Sequence, residues 1–162
     1  MNKRDILPLG LMIIGCEFVG IAGGLFTANE IRTWFSALEK PFLNPPSWIF
    51  GPVWTVLYAL MAIAVFLVWK KRRGQQSQEV KKAVGLFLVQ LLLNALWTPL
   101  FFGAHQLGIA LLDIALMLIF ILLTMRAFFP VSRVAAYLLI PYAAWVLFAT
   151  YLNAAFWYLS LA

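Results

Sequence analysis

Charge, cysteine and histidine are all scarce in this chain. Of its 162 residues only 11% are charged, six of them acidic, and it has one cysteine and one histidine. A water-soluble domain carries about 25% charged residues, so a chain this poor in charge does not fold as one. Cys16 has no second cysteine, which excludes an intrachain disulfide and a C-x-x-C redox motif. His105 cannot build a metal site by itself, so no metal is expected. No histidine stands ready to activate a serine, no carboxylates pair, and no phosphate-binding glycine loop occurs. Hydrolysis and phosphoryl transfer are therefore excluded as ordinary functions, and no cofactor is required. Outside the polar Lys70–Lys82 stretch there is no low-complexity segment and no sign of a second domain.

What fills the chain instead is apolar sequence, at 64% of residues. It falls into five runs, at about 6–26, 47–69, 83–103, 107–128 and 134–159. Each is long enough for a helix of about 20 residues to cross a bilayer. The runs are continuous rather than alternating, which points to helices and not barrel strands. The expected fold class is all-α: a polytopic membrane protein, a single five-helix transmembrane bundle over 1–162. The first run begins like a signal peptide and would offer a cleavage point after Ala22. Its 21 residues are enough to span, and it is read as an uncleaved first helix. A tight turn at Ala104–Gln106 and another near Pro130–Arg133 separate the last three runs.

The net charge is +6. Nucleic acid is excluded as a partner, because the basic residues border apolar runs, where lipid headgroups and loop placement account for them. With five spans, Lys3, Arg4, Lys70, Lys71, Arg72, Arg73, Lys81, Lys82, Arg126 and Arg133 fall on one side. That is ten of the twelve basic residues, leaving Arg32 and Lys40 on the other. Positive loops stay cytoplasmic. The expectation is a multi-pass protein of a bacterial cytoplasmic membrane, N-terminus inside and C-terminus outside.

The most unusual local pattern is Lys40–Met61. Asn44 is expected to cap the second helix, with Pro45 in its first position and Pro46 reinforcing the start. Pro52 is expected to kink the helix. Trp54, Tyr58 and Met61 then share a face. Helices 2, 3 and 5 each set a proline near a tryptophan: Pro52 with Trp54, Pro99 with Trp97, Pro141 with Trp145. On the third helix Gln90, Asn94, Trp97 and Phe101 share a face, and on the fifth Tyr142, Trp145, Ala149 and Asn153 do. Lipid does not reward amides, so both faces should turn inward and enclose an apolar pocket with a few polar groups. The competing account is that the amides tie helices together. In that account Trp48, Trp69 and Trp157 form an interfacial belt. Glu17 and Asp113 lie at membrane depth, where an acid is functional, protonated or paired. Gly20 and Gly24 form a G-x-x-x-G pair that would bring helices close, within or between chains.

Read together, Trp34, Lys40-Pro41, Asn44-Pro45-Pro46, Trp48, Gly51-Pro52-Val53-Trp54 and Leu57-Tyr58 form an ordered series. It continues with Asn94-Ala95-Leu96-Trp97-Thr98-Pro99, Phe101-Phe102-Gly103-Ala104, Pro141-Tyr142, Trp145 and Phe148-Ala149-Thr150-Tyr151-Leu152-Asn153. In this the chain resembles the TspO/MBR family, the bacterial tryptophan-rich sensory proteins and the mitochondrial translocator protein or peripheral benzodiazepine receptor. The resemblance runs from about Phe18 to Tyr158. It implies a ligand between the helices beneath the first loop, with Trp54, Asn94, Trp97, Trp145, Ala149 and Leu152 at pocket positions. Tyr58 and Tyr142 join them as expected ligand-binding residues.

The implied ligand is a porphyrin such as protoporphyrin IX, or another flat hydrophobic molecule. It would stack on indoles with its propionates near Arg32 or Lys40. The implied role is that of a membrane receptor or translocator-like protein in sensing or tetrapyrrole handling, and a homodimer is expected. One alternative is an enzyme that promotes light- and oxygen-dependent porphyrin breakdown through radicals on Trp54 and Trp145. Another is a transporter of tetrapyrrole or sterol-like ligands. The chain departs from the family pattern at Phe35, where many members have Tyr, and at Ile109, where mitochondrial members often have Trp. It also lacks a basic residue after Tyr151, so the C-terminal sterol motif of the animal proteins is absent.

Overall fold

The computed structural model describes residues 3–72 and 77–161. Arg73, the side chains of Lys3 and Arg4, and Ala162 lie outside the described parts. All five long apolar runs form helices able to cross a membrane, and no strand occurs among the described residues. The helices are α1 (Lys3–Arg32), α2 (Trp34–Ala37), α3 (Phe50–Trp69), α4 (Ser77–Thr98), α5 (Leu107–Val131), α6 (Arg133–Leu138) and α7 (Ile140–Leu159). A 3-10 turn at Ser47–Ile49 leads into α3, and a π-helical turn at Pro99–Gly103 finishes α4. Helix α5 packs between α4 and α7, while α1 lies against α3.

Several boundaries differ from expectation. Helix α1 continues past residue 26 to Arg32, because Thr27 bonds back to the carbonyl of Gly24 and Arg32 suits the negative end of the helix dipole. Helix α4 starts at Ser77, six residues before the apolar run. Glu79 in its first turn favours the dipole, and Val80 already reaches the core. Helix α5 runs on to Val131 with Pro130 in its last turn. The expected fifth helix is two. Pro141 has no N–H to give the preceding turn, and the chain breaks at Leu139 into α6 and α7. Ser132 is the one residue between α5 and α6, and its hydroxyl caps α6 by accepting from the Ala135 N–H.

Asn44 is not the cap of the second helix, and Pro45 is not its first residue. A residue before proline is pushed into extended conformation. Asn44 precedes Pro45 and Pro45 precedes Pro46, so neither turns helical. The helical path starts at Ser47, after an extended Pro46, and Asn44 Nδ2 instead donates to the carbonyl of Pro45 at 3.2 Å. Pro52 is the third residue of α3, in the first turn, where an N–H has no partner within α3 to lose. Pro52 thus stands just past the junction of the 3-10 turn with α3.

Two ends of the bundle are well defined. At one, Lys70 pairs with Asp5 at 2.7 Å and the Lys71 ammonium donates to the carbonyl of Val131. The N-terminus, the α3–α4 connection and the α5–α6 turn therefore share that end, as the charge distribution anticipates. At the other end sit α2, the proline loop, the π turn and the tight turn at His105, whose φ of 54° is the left-handed value that closes it.

Candidate ligand-binding cavity

At the proline-loop end α1, α3, α4 and α7 part around a cavity of about 340 Å³. Its walls are aromatic. Trp54 comes from α3, Trp97 from α4 and Trp145 from α7, while Phe35 of α2 and Phe50 close it on the loop side. Tyr58, Asn94, Ala149 and Leu152 also line it. Of the eight residues expected at the site, the structure brings seven to this wall. Tyr142 is the exception: it is 0% exposed and stands behind the wall.

Polar groups reach the wall through two hydrogen-bonded sets. The Tyr58 hydroxyl donates to Asn94 Oδ1, and Asn94 Nδ2 donates to the Tyr142 hydroxyl at 3.2 Å. That hydroxyl donates on to Gln90 Oε1 at 2.7 Å and lies 3.4 Å from Met117 Sδ. In the second set Trp97 Nε1 donates to Asn153 Oδ1 at 3.0 Å, and Asn153 Nδ2 donates to the carbonyl of Leu107 at 2.8 Å. Asn153 thereby ties α4, α7 and the start of α5 together, which the tying account of the buried amides anticipates. The Trp145 indole N–H is buried and has no partner, so a wall residue holds a donor in reserve. Buried polar groups are normally bonded.

Among the described residues no Lys, Arg, Asp or Glu lines the cavity. Lys40 is already engaged. Its ammonium donates to the carbonyl of Phe35 and stands 3.9 Å over the Phe35 ring, and partial burial pulls its pKa below the usual lysine value. Arg32 is exposed. The expected propionate contacts with these two residues find no place on the wall.

Helix α2 is short, and side chains hold it down. The Trp34 ring stacks on His105 at 4.1 Å, and His105 Nε2 lies 3.1 Å from Glu30 Oε2 at the end of α1. Phe35 packs on Phe156 at 5.2 Å and on Phe102 at 5.6 Å. A phenylalanine at position 35 thus belongs to a closed ring cluster with no polar group to satisfy.

Sequence reasoning missed the α1 wall. Gly20, Gly23, Gly24, Thr27, Ala28 and Ile31 line the cavity at helical spacing. The signal was present, since small residues at i, i+3, i+4, i+7 and i+8 make one smooth face. The G-x-x-x-G pair does two jobs within the chain. A Cβ on Gly20 would come within 2.5 Å of the Tyr58 ring, whereas one on Gly24 would meet nothing within 4 Å. Asp113 is 8% exposed with Oδ2 unpartnered. Glu17 is half-buried on α1, and neither acid lines the cavity. Among the described residues no cluster of ligating side chains forms a metal site.

Five helices able to cross a membrane, with an aromatic cavity between α1, α3, α4 and α7, define a polytopic membrane protein. The chain belongs to the TspO/MBR family, whose sequence profile matches residues 12–159. It is 46% identical over 157 residues to the tryptophan-rich protein TspO of Chlorobaculum tepidum, covering 94% of this chain and 95% of that one. It is 42% identical to the human translocator protein, over 89% of this chain and 82% of that one. It is also 36% identical to the tryptophan-rich sensory protein of Cereibacter sphaeroides, over 87% and 84%.

Proposed function

We propose that this protein binds protoporphyrin IX and similar flat hydrophobic ligands in the cavity, in a sensing or tetrapyrrole-handling role. The observation that carries the reading is a cavity onto which three indoles open, one with an unpartnered N–H, and which no charged side chain lines among the described residues. Indole faces favour stacking of a flat ring, and the Trp145 N–H suits an acceptor on the ligand. Trp54, Tyr58, Asn94, Trp97, Trp145, Ala149 and Leu152 would contact the ligand. Tyr142 would support them from behind. Purified protein titrated in the dark with protoporphyrin IX should lose Trp fluorescence in a saturable way and shift the porphyrin absorption. Quenching that rises linearly without saturation would sink the reading.

A second reading, photo-oxidative breakdown of the porphyrin, is supported by Trp54 and Trp145 lining the same cavity. Illumination of the complex in air, with Trp→Phe variants at both sites, separates it from binding alone. The same proposal places the Lys70–Asp5 end in the cytoplasm of a bacterial cell, with the C-terminus outside. Its support is the clustering of basic residues at that end. A reporter fused after Ala162 that works only in the cytoplasm would overturn it. A homodimer belongs to the reading too. The large apolar residues Ile14, Phe18, Ile21 and Leu25 are exposed on α1, and cross-linking in membranes tests whether a second copy covers them.

A further inference from the structure

The polar wall of the cavity has a direction. Tyr58 donates to Asn94, Asn94 to Tyr142, and Tyr142 to Gln90. Both amides admit a reversed assignment, in which every donor in the chain becomes an acceptor. The distances decide between the two. O–H···O bonds cluster near 2.7–2.8 Å and N–H···O bonds near 2.9–3.0 Å. The Tyr142–Gln90 bond is 2.7 Å and the Asn94–Tyr142 bond is 3.2 Å. A hydroxyl donor therefore sits at the Tyr142–Gln90 link and an amide donor at the Asn94–Tyr142 link, which leaves Asn94 Oδ1 to accept from Tyr58. Reversal would place the amide donor at the short link and the hydroxyl donor at the long one.

We propose that this directed chain fixes the Tyr58 hydroxyl as a hydrogen-bond acceptor toward the cavity, so that the site favours flat ligands bearing an N–H or O–H donor. The inference rests on the reading of the cavity as a ligand site. Tyr58 spends its one proton on Asn94, and its oxygen keeps lone pairs for a ligand. Gln90 is the positioning residue. It is 1% exposed, does not line the cavity, and acts through its carbonyl oxygen on Tyr142. Without that oxygen, the Tyr142 proton has only Met117 Sδ, a weak acceptor, to hold its direction. The proton then turns to Asn94, the amide rotates, and Tyr58 becomes a donor.

Three rigid tricycles of nearly one shape test this on a Trp145→Phe parent, which lacks the unpartnered wall N–H that would favour an oxygen acceptor: carbazole with a ring N–H, dibenzofuran with a ring oxygen, and fluorene with neither. Equilibrium dialysis in detergent, with protein-free micelles as the blank and protoporphyrin IX as competitor, gives their affinities. One hydrogen bond predicts that carbazole binds about three- to tenfold tighter than dibenzofuran. Tyr58→Phe should erase that ratio. Gln90→Met should shrink or invert it, whereas Gln90→Glu should preserve it, because a carboxyl accepts from Tyr142 in either protonation state. Equal binding of carbazole and dibenzofuran to the parent protein overturns the inference while leaving the cavity reading intact. A ratio that survives Tyr58→Phe does the same. If Gln90→Met does not fold, the parent and Tyr58→Phe ratios still decide. Failure of all three tricycles and of protoporphyrin IX to bind overturns both the inference and the cavity reading.

Discussion

At the Lys70–Asp5 end the bundle is filled, and at the proline-loop end it is held open. Val65 and Val68 of α3, Phe128 and Val131 of α5, and Ala135 of α6 close on one another there with almost no exposed surface. At the other end a second cluster, built on Phe35, Phe101, Leu152 and Phe156, packs ring against ring around the cavity. Small and branched aliphatic side chains close gaps between helices, whereas large flat rings meeting at angles leave space beside them. The difference also follows the backbone. The filled end turns from α5 to α6 through one residue, Ser132, and has no left-handed residue among those described. The open end has a 3-10 turn, a π turn and a left-handed residue, all near prolines or the loop. Membrane helices associate through packing and buried polar contacts more than through water exclusion. An opening is therefore kept only where rings and hydrogen bonds hold the helices apart.

The contrast is sharpest in substitutions that remove volume. Met61 is fully buried on α3, and Met61→Ala should cost about 2–5 kcal/mol. Leu152→Ala adjoins space that already exists, so it should cost clearly less. Unfolding of both variants by denaturing detergent against the parent checks the order. Equal losses would mean that the cavity wall is packed as tightly as the core.

Adding volume to α1 separates the same two situations within one turn. Gly20→Ala drives a methyl into the Tyr58 ring and should destabilise by about 1–3 kcal/mol. Gly24→Ala meets nothing within 4 Å and should leave the melting temperature unchanged while narrowing the cavity. A comparable effect lies in the polar ties. Asn153→Leu leaves the Trp97 N–H and the Leu107 carbonyl without their partner, a loss of about 1–3 kcal/mol. Trp145→Phe is gentler. It keeps an aromatic face and removes only an N–H that has no partner, so protoporphyrin affinity should fall roughly tenfold or less, tenfold being about 1.4 kcal/mol.

How much of this was legible in the sequence differs between the two ends. The five spans, the tight turn at His105 and the shared basic end follow from the length of the apolar runs and the placement of charge between them, which residue order shows directly. Seven wall residues were legible because amides and indoles at helical spacing have few other places to go in a membrane. Tyr142 looked the same by spacing, but a hydroxyl that can reach Gln90 and Asn94 is drawn behind the wall. The α1 wall went unread because glycine and alanine lack chemistry of their own, and their meaning lies in what faces them. The second span begins at Ser47 as its expected bounds had it, and only the reading of Asn44 as its cap failed, whereas the break at Leu139 is a consequence of proline that a one-dimensional pattern does not place.

The smallest expected effect tests the least regular part of the open end. An N-cap replaced by Ala costs about 1 kcal/mol, which is what Asn44→Ala would lose had Asn44 capped the helix. In the structure its amide nitrogen bonds the neighbouring Pro45 carbonyl, and its Oδ1 has no partner. The two prolines already fix the backbone that leads to Ser47. Asn44→Ala removes one local bond and one unsatisfied oxygen, which act in opposite directions. Stability should therefore change by no more than about 0.5 kcal/mol. Ser47→Ala is the control: Pro46 holds the cap position and no side chain caps the turn, so it too should be near neutral. A loss near 1 kcal/mol in Asn44→Ala alone would restore Asn44 as the cap and place the start of the second helix at Pro45.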